Sequence, residues 1–141
     1  MRSIIAVVAG FVVVMVVIVA GTAGVAVLII PGGLDAARTT VPPPTYIAAH
    51  LLVSAMGALL GGWVTARMAP DREMLHVFAL AVLVFLKSVP ALAGYGNPDG
   101  LQPTWYVYTL PIVSVAGAIF GGWLRSRVVV TESGAAGRPS A

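Results

Sequence analysis

Long apolar stretches alternate with short polar connections along the chain. A helix needs about 20 apolar residues to cross a hydrocarbon core about 30 Å thick. Four stretches meet this length, at about residues 4–30, 46–66, 74–93 and 105–124. The pattern therefore predicts an all-α membrane protein, with a four-transmembrane-helix bundle over residues 1–129 and a polar, disordered tail over residues 130–141.

Prolines and glycines mark the connections between these stretches. Pro31-Gly32-Gly33 follows the first stretch, Pro42-Pro43-Pro44 precedes the second, and Pro70-Asp71 marks a tight turn before the third. Proline continues a helix poorly, so these positions are predicted helix ends. The first stretch exceeds the apolar core of a signal peptide, about 7–15 residues. We therefore expect a retained helix, with cleavage near residues 21–26 as the alternative.

A repeated string links the second and fourth stretches. Residues 57–67 read GALLGGWVTAR, and residues 117–127 read GAIFGGWLRSR, with six of eleven positions identical. Each copy closes an apolar stretch, and both stretches cross the membrane in the same direction. The repeat therefore predicts two tandem helix pairs, related by an axis along the membrane normal.

Small residues recur at helical spacing on one face of each repeated helix. Helices in lipid associate through close van der Waals contact, which glycine and serine permit. We predict that these residues pack helices together, within the bundle or within a dimer; a substrate groove lined by exposed backbone is the alternative. The predicted helix-packing residues are Ser54, Gly57, Gly61, Ser114, Gly117 and Gly121.

Composition supports a membrane location. Of the 141 residues, 59% are hydrophobic and 9% are charged, with a mean hydropathy of +0.98, whereas soluble domains carry about 25% charged residues. The chain contains no cysteine, which excludes disulfides and thiolate metal sites. The net charge is +3, but no soluble segment combines basic and aromatic residues, so we expect no nucleic-acid binding.

The arginines predict the orientation. Basic residues accumulate on the cytoplasmic side of membrane proteins. Six of the seven arginines share one side if the N-terminus is cytoplasmic, and only Arg38 lies opposite. The six are Arg2, Arg67, Arg72, Arg125, Arg127 and Arg138. We therefore expect cytoplasmic N and C termini, and hence a cytoplasmic tail.

The aromatic residues agree with this orientation. Trp63 and Trp123 fall at the predicted inner ends of their helices. The aromatic residues predicted at the outer ends are Tyr46, Tyr95, Trp105 and Tyr106. Two such belts are typical of aromatic side chains at membrane interfaces.

Three ionisable residues fall within the predicted spans, namely His50, His76 and Lys87. Such residues are costly in hydrocarbon and are functional candidates. His50 and Lys87 are predicted at similar outer depth, and together with His76 they are candidates for a polar vestibule that admits an anionic or proton-linked solute. The alternative is that the lysine snorkels to the interface and the histidines form local hydrogen bonds. No carboxylate lies in any span, which argues against a proton- or ion-coupled pump.

Catalytic and cofactor signals are weak. The serines in the spans have no histidine and carboxylate partners in reach, and two lone histidines do not form a metal site. His50 and His76 lie about 20 Å apart along the membrane normal, which excludes one haem held by both. We predict no enzyme activity, no metal and no cofactor, although pigment ligation by a single histidine stays open.

Several features occur together in residues 45–127. They are a Gly-Gly-Trp-Val-Thr-Ala-Arg-Met-Ala-Pro run at residues 61–70, His76, the aromatic entry Pro103-Thr104-Trp105-Tyr106, and Gly121-Gly122-Trp123-Leu124-Arg125. In these features the chain resembles a group of small four-helix bacterial membrane proteins. The resemblance implies a bacterial origin and an inner-membrane location, and it assigns no site residue.

These observations favour a small multi-pass membrane protein with a structural or interaction role. We expect an accessory subunit or a self-associating bundle, whose partners are the lipid bilayer and either further copies of itself or another membrane subunit. The alternative is a small passive channel or carrier with a basic outer vestibule. Four helices are few for a pore, so that alternative calls for a dimer.

Overall fold

The computed structural model describes residues 2–37, 39–95 and 100–136, and these residues form helices and connections without a strand. The helices are α1 (Arg2–Ile29), α2 (Gly33–Ala37), α3 (Pro44–Met68), α4 (Glu73–Leu86), α5 (Val89–Leu92) and α6 (Thr104–Ala136). The segments long and apolar enough to cross a membrane are Ser3–Ile29, Pro44–Met68, Glu73–Leu92 and Thr104–Val128. The predicted all-helical architecture with four membrane-length helices is confirmed.

Proline and glycine set the helix ends as expected. Pro43 precedes α3 in extended backbone, and Pro44 occupies its first turn, where a missing N–H costs nothing. After α1, Gly32 and Gly33 adopt φ values of 91° and 63°, a left-handed conformation that glycine reaches without strain. This turn leads into the short helix α2, which the sequence pattern did not predict.

The third membrane-length segment is broken near its end. The turn at Lys87 and Ser88 separates α4 from α5, because Pro90 has no N–H to donate to the Leu86 carbonyl. At this turn the Ser88 hydroxyl donates a hydrogen bond to the Val84 carbonyl at 3.2 Å, and the Ser88 backbone N–H donates to the Phe85 carbonyl at 2.9 Å. The break holds Lys87 at the end of α4.

The last helix is longer than expected. α6 continues to Ala136, so the first residues of the tail predicted from residue 130 are helical. Residues 128–133 contain neither proline nor glycine, and a helix that has already formed extends by adding one hydrogen bond for each residue fixed. Residues 137–141 of the predicted tail lie outside the described residues.

The long helices pack in the order α1, α3, α6, α4, and α4 also contacts α1. Gly10 lies beside Gly61 and Gly21 lies beside Val53, so α1 and α3 are antiparallel. In contrast, α3 and α6 run in the same direction. Residues near the start of α3 contact residues near the start of α6, and residues further along α3 contact residues further along α6. We name the bundle ends after residues of α3: the Tyr46 end, where α3 begins, and the Arg67 end, where it finishes.

The core is filled, and the outside is apolar. The central residues, all without solvent exposure, are Val14, Ala58, Leu80, Val84 and Ala118, and Val7, Phe11 and Ile18 pack against them. Many large apolar side chains face outward, among them Leu28, Leu52 and Ile112. This distribution suits a bundle surrounded by lipid rather than by water.

Candidate functional site

The double glycine of the first repeated string contacts two different helices. A methyl group on Gly61 would overlap Val14 and would lie 2.7 Å from the backbone oxygen of Gly10, both in α1. A methyl group on Gly62 would overlap the backbone of Ala118 in α6. Adjacent glycines therefore let α3 approach a neighbour on each side.

The second string repeats this arrangement one helix further around the bundle. Gly121 faces the backbone of Leu59 in α3, and Gly122 faces Val77 in α4. In both strings the first glycine contacts the preceding helix in the packing order α1, α3, α6, α4, and the second contacts the following one. The two Gly-Gly pairs thus account for the three successive helix contacts of the bundle.

The predicted packing glycines all lie at contacts inside the bundle. Gly57 packs against Val17 and Ile18 of α1, next to the contact that Gly61 makes with the same helix. Gly117 packs against α3, where an added methyl group would lie 2.9 Å from the Ala55 carbonyl oxygen. The small-residue faces are therefore occupied within one chain.

The two predicted packing serines are buried, with 1% exposure for Ser54 and 2% for Ser114. Ser114 donates a hydrogen bond to the Leu110 carbonyl one turn back, at 2.9 Å. The Ser54 hydroxyl is shielded from solvent and has no hydrogen-bond partner in the described part of the chain. An unpaired buried hydroxyl costs free energy, so Ser54 carries a penalty that Ser114 avoids.

Side chains of α3 and α6 meet at the Tyr46 end. The Tyr106 hydroxyl and His50 Nδ1 are hydrogen-bonded at 2.5 Å, and both residues are buried. The Tyr46 ring stacks on the imidazole, with centroids 6.0 Å apart and an angle of 12° between the rings. The parallel course of α3 and α6 places these residues together, since each lies within the first two turns of its helix.

Lys87 completes this group. It lies at the end of α4, which is at the Tyr46 end of the bundle, and it is partly buried. We call Tyr46, His50, Lys87 and Tyr106 the histidine cluster. The sequence placed His50 and Lys87 at the same depth, and in the structure both lie at the Tyr46 end.

His76 lies apart from the histidine cluster, in the first turn of α4 at the Arg67 end. Its Nδ1 donates to the Arg72 carbonyl at 3.3 Å, and the side chain lines an open groove between α1 and α4. The three ionisable residues therefore form no single vestibule. The face of α4 that enters the bundle comprises Val77, Leu80, Ala81 and Val84.

The polar groups of the histidine cluster can bind a ligand. An imidazole, a phenol and an ammonium group can hold an anion or a hydroxyl-bearing molecule. Ser54 is one turn from His50, but its hydroxyl makes no hydrogen bond to the imidazole. Within the described ranges, no group of three or more His, Cys, Asp or Glu residues could hold a metal ion.

Sequence reasoning missed both tyrosines of this cluster, and Tyr106 is the clearer case. It was assigned to the outer aromatic belt, but it is 3% exposed and faces the bundle interior. A signal was present, because the offset of sixty residues that aligns the Gly-Gly-Trp strings also aligns Tyr46 with Tyr106 and Ser54 with Ser114. The matching positions indicated that both tyrosines belong to the repeated pattern.

Comparison with known proteins returned no match to a protein-family model, a curated protein or a solved structure.

Proposed function

We propose that this chain is a small structural or interaction protein of a bacterial cytoplasmic membrane, with both termini in the cytoplasm. It acts as an accessory subunit of a membrane complex, or it associates with copies of itself. The observation that supports this proposal best is the combination of a filled interior with an apolar outer surface.

The filled interior argues against a conduit through one chain. Backbone contacts at Gly10, Gly61, Gly62 and Gly121 bring successive helices together. Apolar side chains without exposure occupy the remaining centre. Function is therefore assigned to the outside of the bundle, where other membrane helices can dock.

α1 is the best candidate for that docking surface. Its membrane-length segment has a mean hydropathy of 3.1 over an 18-residue stretch, and 17% of that stretch is buried. The corresponding stretches of the other three segments have mean hydropathies of 1.6 to 2.1, and 28 to 39% of each is buried. Val8, Val12, Val16 and Val19 are exposed along it. Because lipid tails are as apolar as valine, a partner helix gains from close packing against such a surface rather than from hydrophobicity alone.

The test is extraction of the tagged full-length chain in mild detergent, followed by native mass spectrometry. A stoichiometric partner subunit or a defined oligomer is the expected result. Val16→Trp on α1 should reduce that complex, whereas Ile112→Trp on α6, equally lipid-exposed, should leave it intact. A monomer free of any partner, in lipid as well as in detergent, would contradict the proposal.

A second candidate function is a passive channel or carrier, which the histidine cluster favours because Lys87 supplies a basic group at the Tyr46 end, where His50 and Tyr106 also lie. A path for a solute must then run between two chains, since the interior of each is filled. Flux into liposomes is the measurement, with Lys87→Met expected to change flux while the fold is retained. Absence of flux from the unmodified chain across a panel of small anions and neutral solutes would remove this candidate.

A further inference from the structure

Hydroxyl groups follow the apolar core on the side of the Tyr46 end. Each long helix contributes to the core or packs against it, and the contributing residues nearest the Tyr46 end are Ile18, Ala58, Val84 and Ala118. One helical turn from each of them, towards the Tyr46 end, the chain carries a threonine or a serine. These four residues, which we call the hydroxyl layer, are Thr22, Ser54, Ser88 and Ser114.

Thr22 and Ser54 lie at nearly the same depth in the bundle. Gly21 of α1 meets Val53 of α3, and the two hydroxyl residues follow these directly. Because α1 and α3 are antiparallel, the depths of the two hydroxyl residues differ by about 3 Å, the rise of two residues. Ile18, one turn from Thr22, packs against the core, which places Thr22 on the inward face of α1.

The serines of α6 and of the turn after α4 share this depth. Gly117 of α6 meets Ala58 of α3. Ser114 and Ser54 each come about one turn before that contact. Ser88 comes one turn after the last core residue of α4, in the direction of the Tyr46 end. The hydroxyl layer is therefore one level of the bundle, with the apolar core on its Arg67 side.

The hydroxyl layer has hydrogen-bonding capacity that the described residues do not use. Ser54 is 1% exposed, and the hydroxyls of Ser54 and Thr22 are shielded from solvent without a partner in the described ranges. Ser88 and Ser114 donate to carbonyls one turn back, at 3.2 and 2.9 Å, which leaves their oxygens able to accept. The layer therefore offers two O–H donors together with acceptor oxygens, and none of its side chains is charged.

The histidine cluster lies between the hydroxyl layer and the Tyr46 end. His50 comes one turn before Ser54 in α3, and Tyr106 comes two turns before Ser114 in α6. The hydrogen bond between His50 and Tyr106 joins the two helices at this level, and both side chains are buried. The layer is thus bounded by a polar contact on one side and by the apolar core on the other.

We propose that the hydroxyl layer binds a small uncharged molecule that carries a hydroxyl group, such as a short alcohol or a polyol. The molecule enters from the Tyr46 end when the hydrogen bond between His50 and Tyr106 opens. Because a hydroxyl group both donates and accepts, it can pair with the free donors and with the serine oxygens of the layer. An ion would lose its hydration without meeting an opposite charge in the layer. The site ends at the core, so it is separate from the α1 docking surface and requires no path through the chain.

Cysteine reactivity locates the site, because the chain contains no cysteine. Ser54→Cys in the full-length protein, reconstituted in lipid, is treated with methanethiosulfonates of similar length that end in a hydroxyl, a sulfonate or a trimethylammonium group. Each rate is divided by the rate of the same reagent at Thr40→Cys, an exposed position before α3. On this scale the hydroxyl reagent is expected to react at least about tenfold faster than either charged reagent. Absence of reaction, or an equal rate for a charged reagent, would overturn the proposal.

Two further thiols show where the reagent goes. Val84→Cys lies in the apolar core one turn beyond Ser88, and Leu52→Cys lies on the outward face of α3, where the leucine is 66% exposed. Neither should react, since the reaction requires a thiolate, which apolar surroundings disfavour. Reaction of either at the rate of Ser54→Cys would show entry through the core or through lipid and would overturn the site. Ser114→Cys repeats the measurement from α6, so a folding defect in one variant does not decide the result.

The route of entry is tested by removing the contact between the layer and the Tyr46 end. Tyr106→Phe, combined with Ser54→Cys, removes the hydrogen bond to His50. It should raise the rate of the hydroxyl reagent about fivefold, the factor that corresponds to one hydrogen bond. Tyr108→Phe is the control, because Tyr108 is exposed, and it should leave the rate unchanged. An unchanged or lower rate in the Tyr106→Phe variant would overturn entry at the Tyr46 end.

Discussion

Gly10 of α1 and Gly61 of α3 touch backbone to backbone. A methyl group built on either residue would lie 2.7 Å from the backbone oxygen of the other, which is closer than carbon and oxygen atoms approach without a shift. The contact is reciprocal, so neither helix can accept a side chain here without moving. Backbone approach of this kind supports helix association in lipid, where apolar burial alone provides no driving force.

Gly61→Ala should therefore destabilise the bundle. Overpacking a well-packed site typically costs about 1–3 kcal/mol, and here a backbone oxygen resists the shift. The free energy of unfolding can be measured by SDS titration in mixed micelles, followed by circular dichroism. Gly24→Ala is the control in the same helix pair, because nothing lies within 4 Å of its added methyl group. Equal losses for both variants would show that the contact is unimportant.

Alanine substitutions at the glycines of the repeated strings should destabilise the bundle to different extents, in a predictable order. A methyl group on Gly62 or Gly121 would overlap a backbone oxygen of the facing helix, whereas one on Gly57 would meet side-chain atoms of Val17 and Ile18 at 3.2–3.3 Å. Side chains can shift more easily than backbone. Alanine at Gly62 or Gly121 should therefore cost more stability than alanine at Gly57, measured by the same titration. The reverse order would contradict the close approach of α3 and α6.

The hydrogen bond between His50 and Tyr106 should couple α3 to α6. Tyr106→Phe leaves His50 Nδ1 without its partner in the bundle interior, and His50→Phe leaves the Tyr106 hydroxyl unpaired. A double-mutant cycle should give a coupling free energy of about 1 kcal/mol, within the range measured for hydrogen bonds between membrane helices. Tyr108→Phe is the control, since Tyr108 is exposed. A coupling free energy near zero would mean that the two side chains do not interact in the membrane.

The sequence predicted where the helices lie along the chain better than it predicted which helix each residue contacts. Membrane-length helices follow from the length and hydropathy of a continuous stretch of sequence, which are local properties. The neighbour of each glycine depends instead on a rotation of about 100° per residue, so Gly61 and Gly62 contact different helices although they are adjacent. Depth alone sufficed to place His50 and Lys87 at the same end of the bundle. It did not reveal that Tyr106 turns inward, because a tyrosine at a helix end fits an interface belt equally well.

The two buried serines should respond differently to substitution. Ser54→Ala removes a hydroxyl that has no partner in the described residues, so stability should stay the same or rise by up to about 1 kcal/mol. Ser114→Ala removes a hydroxyl that donates to the Leu110 carbonyl, so it should be neutral or modestly destabilising. SDS titration of the two variants tests this difference, because the two serines are buried to nearly the same extent. A large loss for Ser54→Ala would show that its hydroxyl has a partner, such as a water molecule or a bound ligand.

The proposed orientation can be tested with single cysteines, because the chain contains none. Thr40 and Asp71 are exposed in connections at opposite ends of the bundle, and Thr40→Cys and Asp71→Cys place one thiol at each. If the basic Arg67 end is cytoplasmic, a membrane-impermeant maleimide applied to intact spheroplasts should label Thr40→Cys. It should reach Asp71→Cys only after the membrane is permeabilised.

Each outcome of this labelling experiment has a distinct structural meaning. The expected pattern would place the histidine cluster at the outer face and the Arg67 end at the inner face. The inverse pattern would mean that the arginines do not set the orientation of this chain. Labelling of both thiols in sealed spheroplasts would mean that copies insert in two orientations, and the filled bundle could then pair with an inverted copy of itself. Detergent-solubilised protein should label at both positions, which shows that protection comes from the membrane and not from the fold.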